Sequence, residues 1–206
     1  MKQVKNKINA LDKAKHIIRQ HGGIIRTAKA IQAGIHPRTL YQLRDGGLLE
    51  QLSRGVYRLT DQEAVSDPDL VIVATRIPKA VICLVSALSF HEMTTQIPHT
   101  VSIALLKGSD TPRLEYPPIS IHRFAMEALV AGVTVHKIDN VPVKVYSPEK
   151  TLVDCFKFRN KIGMDVVLEA LKLYKARKEF KPGEILKYAR ICRVEKIMRP
   201  YLEMSI

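Results

Sequence analysis

The 206-residue chain contains no apolar run near the ~18–20 residues that a membrane-crossing helix needs. Met1-Lys2-Gln3-Val4-Lys5 carries basic residues with no apolar core behind them, so no secretory signal and a cytoplasmic location are expected. Cysteine is scarce. Cys83, Cys155 and Cys192 are odd in number, widely spaced and flanked by apolar residues. That excludes a disulfide framework and a zinc site, and reads as buried thiols in a reducing compartment. There is no P-loop and no Gly-rich dinucleotide fingerprint. His91-Glu92 opens like a zinc-protease motif, but Thr95 stands where the second histidine belongs. His91 and His99 could approach in space, yet scattered histidines read as structural. Ser147, His122 and Asp154 can be drawn as a hydrolytic set, as can three such residues in almost any chain. The acids at 61–69 lie in a linker, where a nuclease would need a Mg²⁺-binding cluster. The expectation is a protein without catalytic residues, cofactor or metal.

What is present is positive charge, unevenly placed. The chain holds 33 Lys+Arg against 20 Asp+Glu, a net charge of +13. Residues 1–60 account for +9 of it, residues 61–149 for −3 and residues 150–206 for +7. A basic balance without low complexity favours a polyanionic partner.

The basic N-terminal segment also carries a helix-turn-helix pattern over residues 26–44. Ala30 is small enough for two helices to cross closely, and Gly34 tolerates the positive φ of the bend between them. Pro37 suits the first turn of the second helix. There Leu40 and Leu43 share an inward face, while Arg38, Tyr41, Gln42 and Asp45 point outward. Arg38 can read guanine and Gln42 adenine by paired hydrogen bonds. This helix should stop at Gly46-Gly47. Residues 48–52 and 56–59 read as a β-hairpin whose tip, Ser53-Arg54-Gly55, could reach a phosphate or minor groove. An earlier helix carries Ile8, Leu11, Ala14, Ile17 and Ile18 and ends near Gly22-Gly23. The candidate DNA contacts are Thr27, Lys29, Arg38, Thr39, Tyr41, Gln42, Arg44, Arg54 and Arg58.

The acids Asp61, Glu63, Asp67 and Asp69 suggest a boundary at 60–68, giving a winged head over 1–60 and a second domain over 61–206. Asp67-Pro68 starts a helix with Leu70, Val73, Ala74 and Ile77 inward. Residues 84–93 read as another helix, with Phe90 in the core. Residues 100–106 and 119–124 read as strands, and 132–138 with 141–146 as a hairpin around Asp139-Asn140. The region 79–146 is thus β-rich. From 147 helices dominate: one capped by Ser147, one over 166–177 with Val167, Leu168, Leu171 and Tyr174 inward, one opened by Pro182 with Ile185, Leu186 and Ala189 inward, and one over 194–202 interrupted by Pro200. The fold class is α+β: a winged helix-turn-helix, then a small mixed sheet with a helical tail.

The tail's charge makes Lys157, Arg159, Lys161, Lys172 and Lys175 candidates for a polyanion-binding or antitoxin surface. Lys150 and Asp154, an i,i+4 pair at a capped helix start, join them, because such a start can bind phosphate.

Ser86-Ala87-Leu88-Ser89-Phe90-His91 and residues 146–156, which run from Tyr146-Ser147-Pro148-Glu149 to Asp154-Cys155-Phe156, resemble the AbiEi family, the antitoxins of type IV toxin–antitoxin systems linked to abortive phage infection. The resemblance covers essentially the whole chain. It implies a winged-helix domain that represses its own operon by binding inverted repeats in double-stranded DNA. It also implies a C-terminal domain that neutralises a nucleotidyltransferase-like toxin without a stable complex. Two other readings stay open on the residues alone: a stand-alone repressor whose second domain senses a ligand or dimerises, and a nucleic-acid-processing enzyme targeted by the head.

Overall fold

The computed structural model describes residues 2–62 and 65–203, with side chains from Ala10 onward. The side chain of Ile8, and Glu63, lie outside the described residues. The chain forms two compact units: residues 1–78 with 113–117 and 137–143, and residues 79–112 with 118–136 and 144–206.

The first unit contains α1 (Lys2–Gln20), β1 (Ile24–Arg26), α2 (Thr27–Gln32), α3 (Pro37–Asp45), β2 (Leu49–Ser53), β3 (Val56–Leu59) and α4 (Pro68–Arg76). Its antiparallel sheet has the order β1-β3-β2. The short β1 follows Gly22-Gly23 directly, and three residues carry too little periodicity to be read from sequence. Ala14, Ile18, Ile25, Ala30, Ile35, Leu40, Leu43, Leu49, Tyr57 and Leu59 form one core, with Leu11 and Ile17 packed on it. Helix α4 groups with this unit, not with the second domain as the acidic boundary suggested. Four consecutive residues, Leu70 to Val73, are buried, so the helix needs cover on more than one face. It packs on β1, β2 and β3. Asp67 caps it, accepting from the Leu70 N–H at 3.1 Å.

The second unit contains β4 (Val81–Ile82), α5 (Leu84–Phe90), β5 (Val101–Leu106), β6 (Ile119–Phe124), α6 (Met126–Val130), α7 (Pro148–Lys157), α8 (Arg159–Ile162), α9 (Met164–Lys175), α10 (Pro182–Ile191) and α11 (Glu195–Glu203), with the larger part of β7 (Val133–Ile138) and the end of β8 (Val141–Tyr146), whose connecting residues 137–143 group with the first unit. The mixed sheet has the order β6-β5-β4-β8-β7, with β5–β6 and β4–β8 parallel and β4–β5 antiparallel. Asp139 and Asn140 both take positive φ, which gives the β7–β8 hairpin its tight turn. Three expectations need correction. Leu168 is 41% exposed, because the buried stripe of α9 runs through Val167, Ala170, Leu171 and Tyr174 and leaves Leu168 about 100° to one side. Phe90 is only half-buried. Pro200 lies inside α11 without ending it.

Helix α7 is the centre of the helical layer and packs against α5, α9 and α10. Every residue from Glu149 to Phe156 is buried. Lys150 and Asp154 are both fully buried, with Nζ 2.5 Å from Oδ2. They form no surface and offer no phosphate site, contrary to the expectation from spacing and charge. The ammonium also sits 4.0 Å from the Tyr146 ring centroid and 5.0 Å from that of Phe124. Asp154 accepts a further contact from the Cys192 thiol at 3.5 Å. Burial pushes the Asp154 carboxyl above its ordinary range, and the adjacent Lys150 opposes that shift. All three cysteines are buried, and burial holds their thiols protonated, Cys192 pushed up to about 11.

Removing one member of a buried ion pair strands the other charge, at about 3–5 kcal/mol. Lys150→Met is expected to lose stability on that scale in urea unfolding. The double variant Lys150→Met/Asp154→Leu should recover most of the loss. A single variant as stable as the parent would show that the pair does not hold α7 in place.

Candidate nucleic-acid interface

Helix α2, the turn after it and α3 follow from local chemistry. Ala30 is completely buried, which lets the two helices approach closely. Gly34 has φ +88° and ends α2. Its N–H donates to the Ile31 carbonyl at 3.0 Å, and the Ile35 N–H donates to the Ala30 carbonyl at 2.9 Å. These are the paired bonds of a Schellman turn. Ile35 then enters the core. At the start of α3, His36 Nδ1 accepts from the Arg38 N–H at 3.2 Å, and Pro37 occupies the first turn. Leu40 and Leu43 are fully buried.

The opposite face of α3 is the candidate reading surface. Arg38 is exposed, Tyr41 is 41% exposed, and Thr39 and Gln42 are half-buried. Arg44 stacks over the Tyr41 ring at 5.0 Å and donates to Asp45 at 2.9 Å, so its charge is partly neutralised. On α2, Lys29 is exposed, while the half-buried Thr27 hydroxyl leans on the Gly55 carbonyl. The β2–β3 hairpin carries Arg54 at its tip, 80% exposed and paired with Glu115 at 3.1 Å. Arg58 must be removed from the candidates. Its side chain is only 13% exposed and is held by Glu50, its cross-strand neighbour, at 2.6 Å and by the Gln62 carbonyl at 3.2 Å. That arginine fastens the hairpin. Two arginines missed in the sequence, Arg26 and Arg76, stand beside the hairpin tip. Arg26 belongs to the unread strand β1, and Arg76 lies beyond the acidic boundary that seemed to close the head.

In the second unit, Lys157, Lys161 and Lys172 are exposed, whereas Arg159 and Lys175 are half-buried. Arg159 donates to the Phe156 carbonyl at 3.0 Å, and Lys175 lies 5.7 Å from the Phe180 ring centre. His91 lies against the Tyr146 carbonyl at 2.7 Å, and His136, not His99, is the histidine it approaches. Burial lowers the His91 pKa, so its ring stays neutral and serves as a structural donor. Among the described residues, no group of three or more His, Cys, Asp or Glu is placed to hold a metal ion, and no helix is long and apolar enough to cross a membrane.

Comparison with known proteins accords with this geometry. Residues 12–60, which begin inside α1 and run through the hairpin, match the family described as transcriptional regulator, AbiEi antitoxin. The match covers the N-terminal segment, which is similar to AbiEi transcriptional regulators. No curated protein matches the chain in sequence. The crystal structure of the RV2827C protein from Mycobacterium tuberculosis is similar at a TM-score of 0.55 and 16% identity, over 86% of this chain and 69% of that one. At that identity the likeness is one of fold.

The Gly34 position isolates the conformational requirement of the turn, because a Cβ there would meet nothing within 4 Å. Gly34→Ala is expected to destabilise the head by about 1–2 kcal/mol, the cost of placing an L-residue in the left-handed region. Urea unfolding checks it. A loss near zero would mean that the turn relaxes to negative φ and does not set the crossing of α2 and α3.

Proposed function

We propose that this chain is the antitoxin of a type IV toxin–antitoxin system, acting on its own operon through the first unit and against a nucleotidyltransferase-like toxin through the second. The observation that carries the reading is α3. Leu40 and Leu43 anchor it, and they leave Arg38, Tyr41 and Gln42 on the outer face of a segment matching AbiEi transcriptional regulators. Arg38 lies near the N-terminal end, the part of a recognition helix that meets base edges. Double-stranded DNA with an inverted repeat is the expected operator, and a cytoplasmic location suits both roles.

Arg38→Ala should cost about 1–3 kcal/mol in binding to DNA from upstream of its own gene and relax base preference at one position. Fluorescence anisotropy with single-base operator variants measures both. Unchanged affinity would remove α3 as the reading element.

Antitoxicity is the finer part of the proposal, and the family match ends at residue 60, so a stand-alone repressor competes with it. The exposed Lys157, Lys161 and Lys172 are the proposed contributors in the second unit. Exposed charges contribute little to folding, so reversing all three to Glu should leave the unfolding midpoint unchanged. The reversed protein should rescue growth poorly when co-expressed with the adjacent toxin gene. Full rescue would reduce these lysines to a solvated face. A wild-type chain that rescues nothing would favour the stand-alone repressor.

A further inference from the structure

A cleft of about 270 Å³ opens in the first unit between the start of α2 and the β2–β3 tip, lined by Arg26, Thr27, Ala28, Arg54, Gly55 and Arg76. Three segments far apart in sequence each bring one arginine: the end of β1, the hairpin tip and the end of α4. The register Arg26↔Val56 sets Arg26 beside the tip. Gly55 keeps the approach tight. It has φ +73°, and a Cβ there would lie 3.3 Å from the Thr27 hydroxyl and 3.5 Å from Arg76 Nη1.

The protein uses only part of the hydrogen-bonding capacity of these side chains. Each guanidinium offers about five N–H donors. Arg26 Nη1 makes two long contacts, 3.4 Å each, to the carbonyls of Thr75 and Arg76. Arg76 Nη1 donates to the Arg54 carbonyl at 2.8 Å, which fixes the tip. Arg54 Nη1 donates to Glu115. Among the described residues, Glu115 is the acid ion-paired to this group, and its side chain is 73% exposed. Glu115 offsets one of the three positive charges, so the cleft keeps a net positive charge that a further anion would lower. Planar guanidiniums are shaped to hold the oxygens of a phosphate in pairs.

We propose that this three-arginine notch binds a phosphate of the DNA backbone, clamping the strand beside the groove that α3 reads. The inference rests on the DNA-binding reading above. It adds a sequence-independent anchor made by Arg26, Arg54 and Arg76. The first helix of a helix-turn-helix crosses the sugar-phosphate backbone, which makes DNA the expected source of the phosphate. A free phosphate ion is the other source of the same chemistry.

The test uses the full chain, with anisotropy over a salt series on two duplexes, one from upstream of its own gene and one of scrambled sequence. Arg26→Gln and Arg76→Gln should each weaken both duplexes alike and flatten the log–log salt dependence by about 0.9. Arg76→Lys should keep the slope. Glu115→Gln leaves all three arginines in place and frees Arg54, so it should tighten both duplexes and steepen the slope. It tests the notch even if an arginine variant unfolds. A merely structural role would lower affinity without moving the slope. Unchanged slopes in Arg26→Gln and Glu115→Gln overturn the proposal. If that happens while Arg38→Ala still loses base preference, the notch fails and the α3 reading stands. If the slopes move while Arg38→Ala changes nothing, the α3 reading fails and the notch stands. Calorimetric titration with inorganic phosphate alone, without DNA, should show no saturable binding. Saturable binding that Arg76→Gln abolishes would assign the notch to a free anion and overturn the backbone assignment.

Discussion

The close crossing of α2 and α3 is the constraint on which the head depends. It needs a residue no larger than Ala30 at the contact and a left-handed residue at Gly34. With both in place, Ile35 turns into the core, and the Leu40–Leu43 face follows it. The outward direction of Arg38 is then a consequence of helical geometry and needs no further device. The core contacts of α3 come from Leu40 and Leu43, and Arg38 and Tyr41 stay exposed on the opposite face.

The second unit is organised around a different kind of interaction. Helix α7 is covered so completely that its polar residues must satisfy one another internally. Lys150 reaches Asp154 one turn on, Tyr146 and Phe124 face the ammonium, and Cys192 touches the free carboxylate oxygen. Glu149 is likewise occupied, accepting from the Tyr174 hydroxyl at 2.5 Å. A buried pair of this kind adds little net stability against an apolar substitute, but it penalises any register of α7 that separates its members. The polar residues of the Ser147–Asp154 stretch are therefore explained by packing, before any functional role is invoked.

Net charge proved a poor guide to which cations are available. Arg58 and Arg44 contribute to the +9 of residues 1–60, yet one is pinned under Glu50 and the other leans on Asp45. Arg76 lies in the stretch with net charge −3, and it joins Arg26 and Arg54 around one cleft. What matters electrostatically is how many donors the fold leaves unengaged near each other, a quantity that no window along the chain contains.

Elements with local chemistry were legible in the residues: α3 between Pro37 and Gly46-Gly47, the hairpin around Ser53-Arg54-Gly55, the Asp139-Asn140 turn, and the Asp67 and Ser147 caps. Each rests on φ preference, hydrogen bonding within a few residues, or apolar period, and these act over distances the sequence displays directly. The strands β1 and β4, the allegiance of α4 to the head and the inward burial of Lys150 and Asp154 were not legible. A two- or three-residue strand exists because a partner strand supplies its hydrogen bonds, and a charged pair is buried because other helices close over it. The sequence by itself determined the turns, the caps and which face of α3 turns outward. Tertiary structure alone decided which cations stay exposed, because burial and ion pairing are set by neighbours distant along the chain.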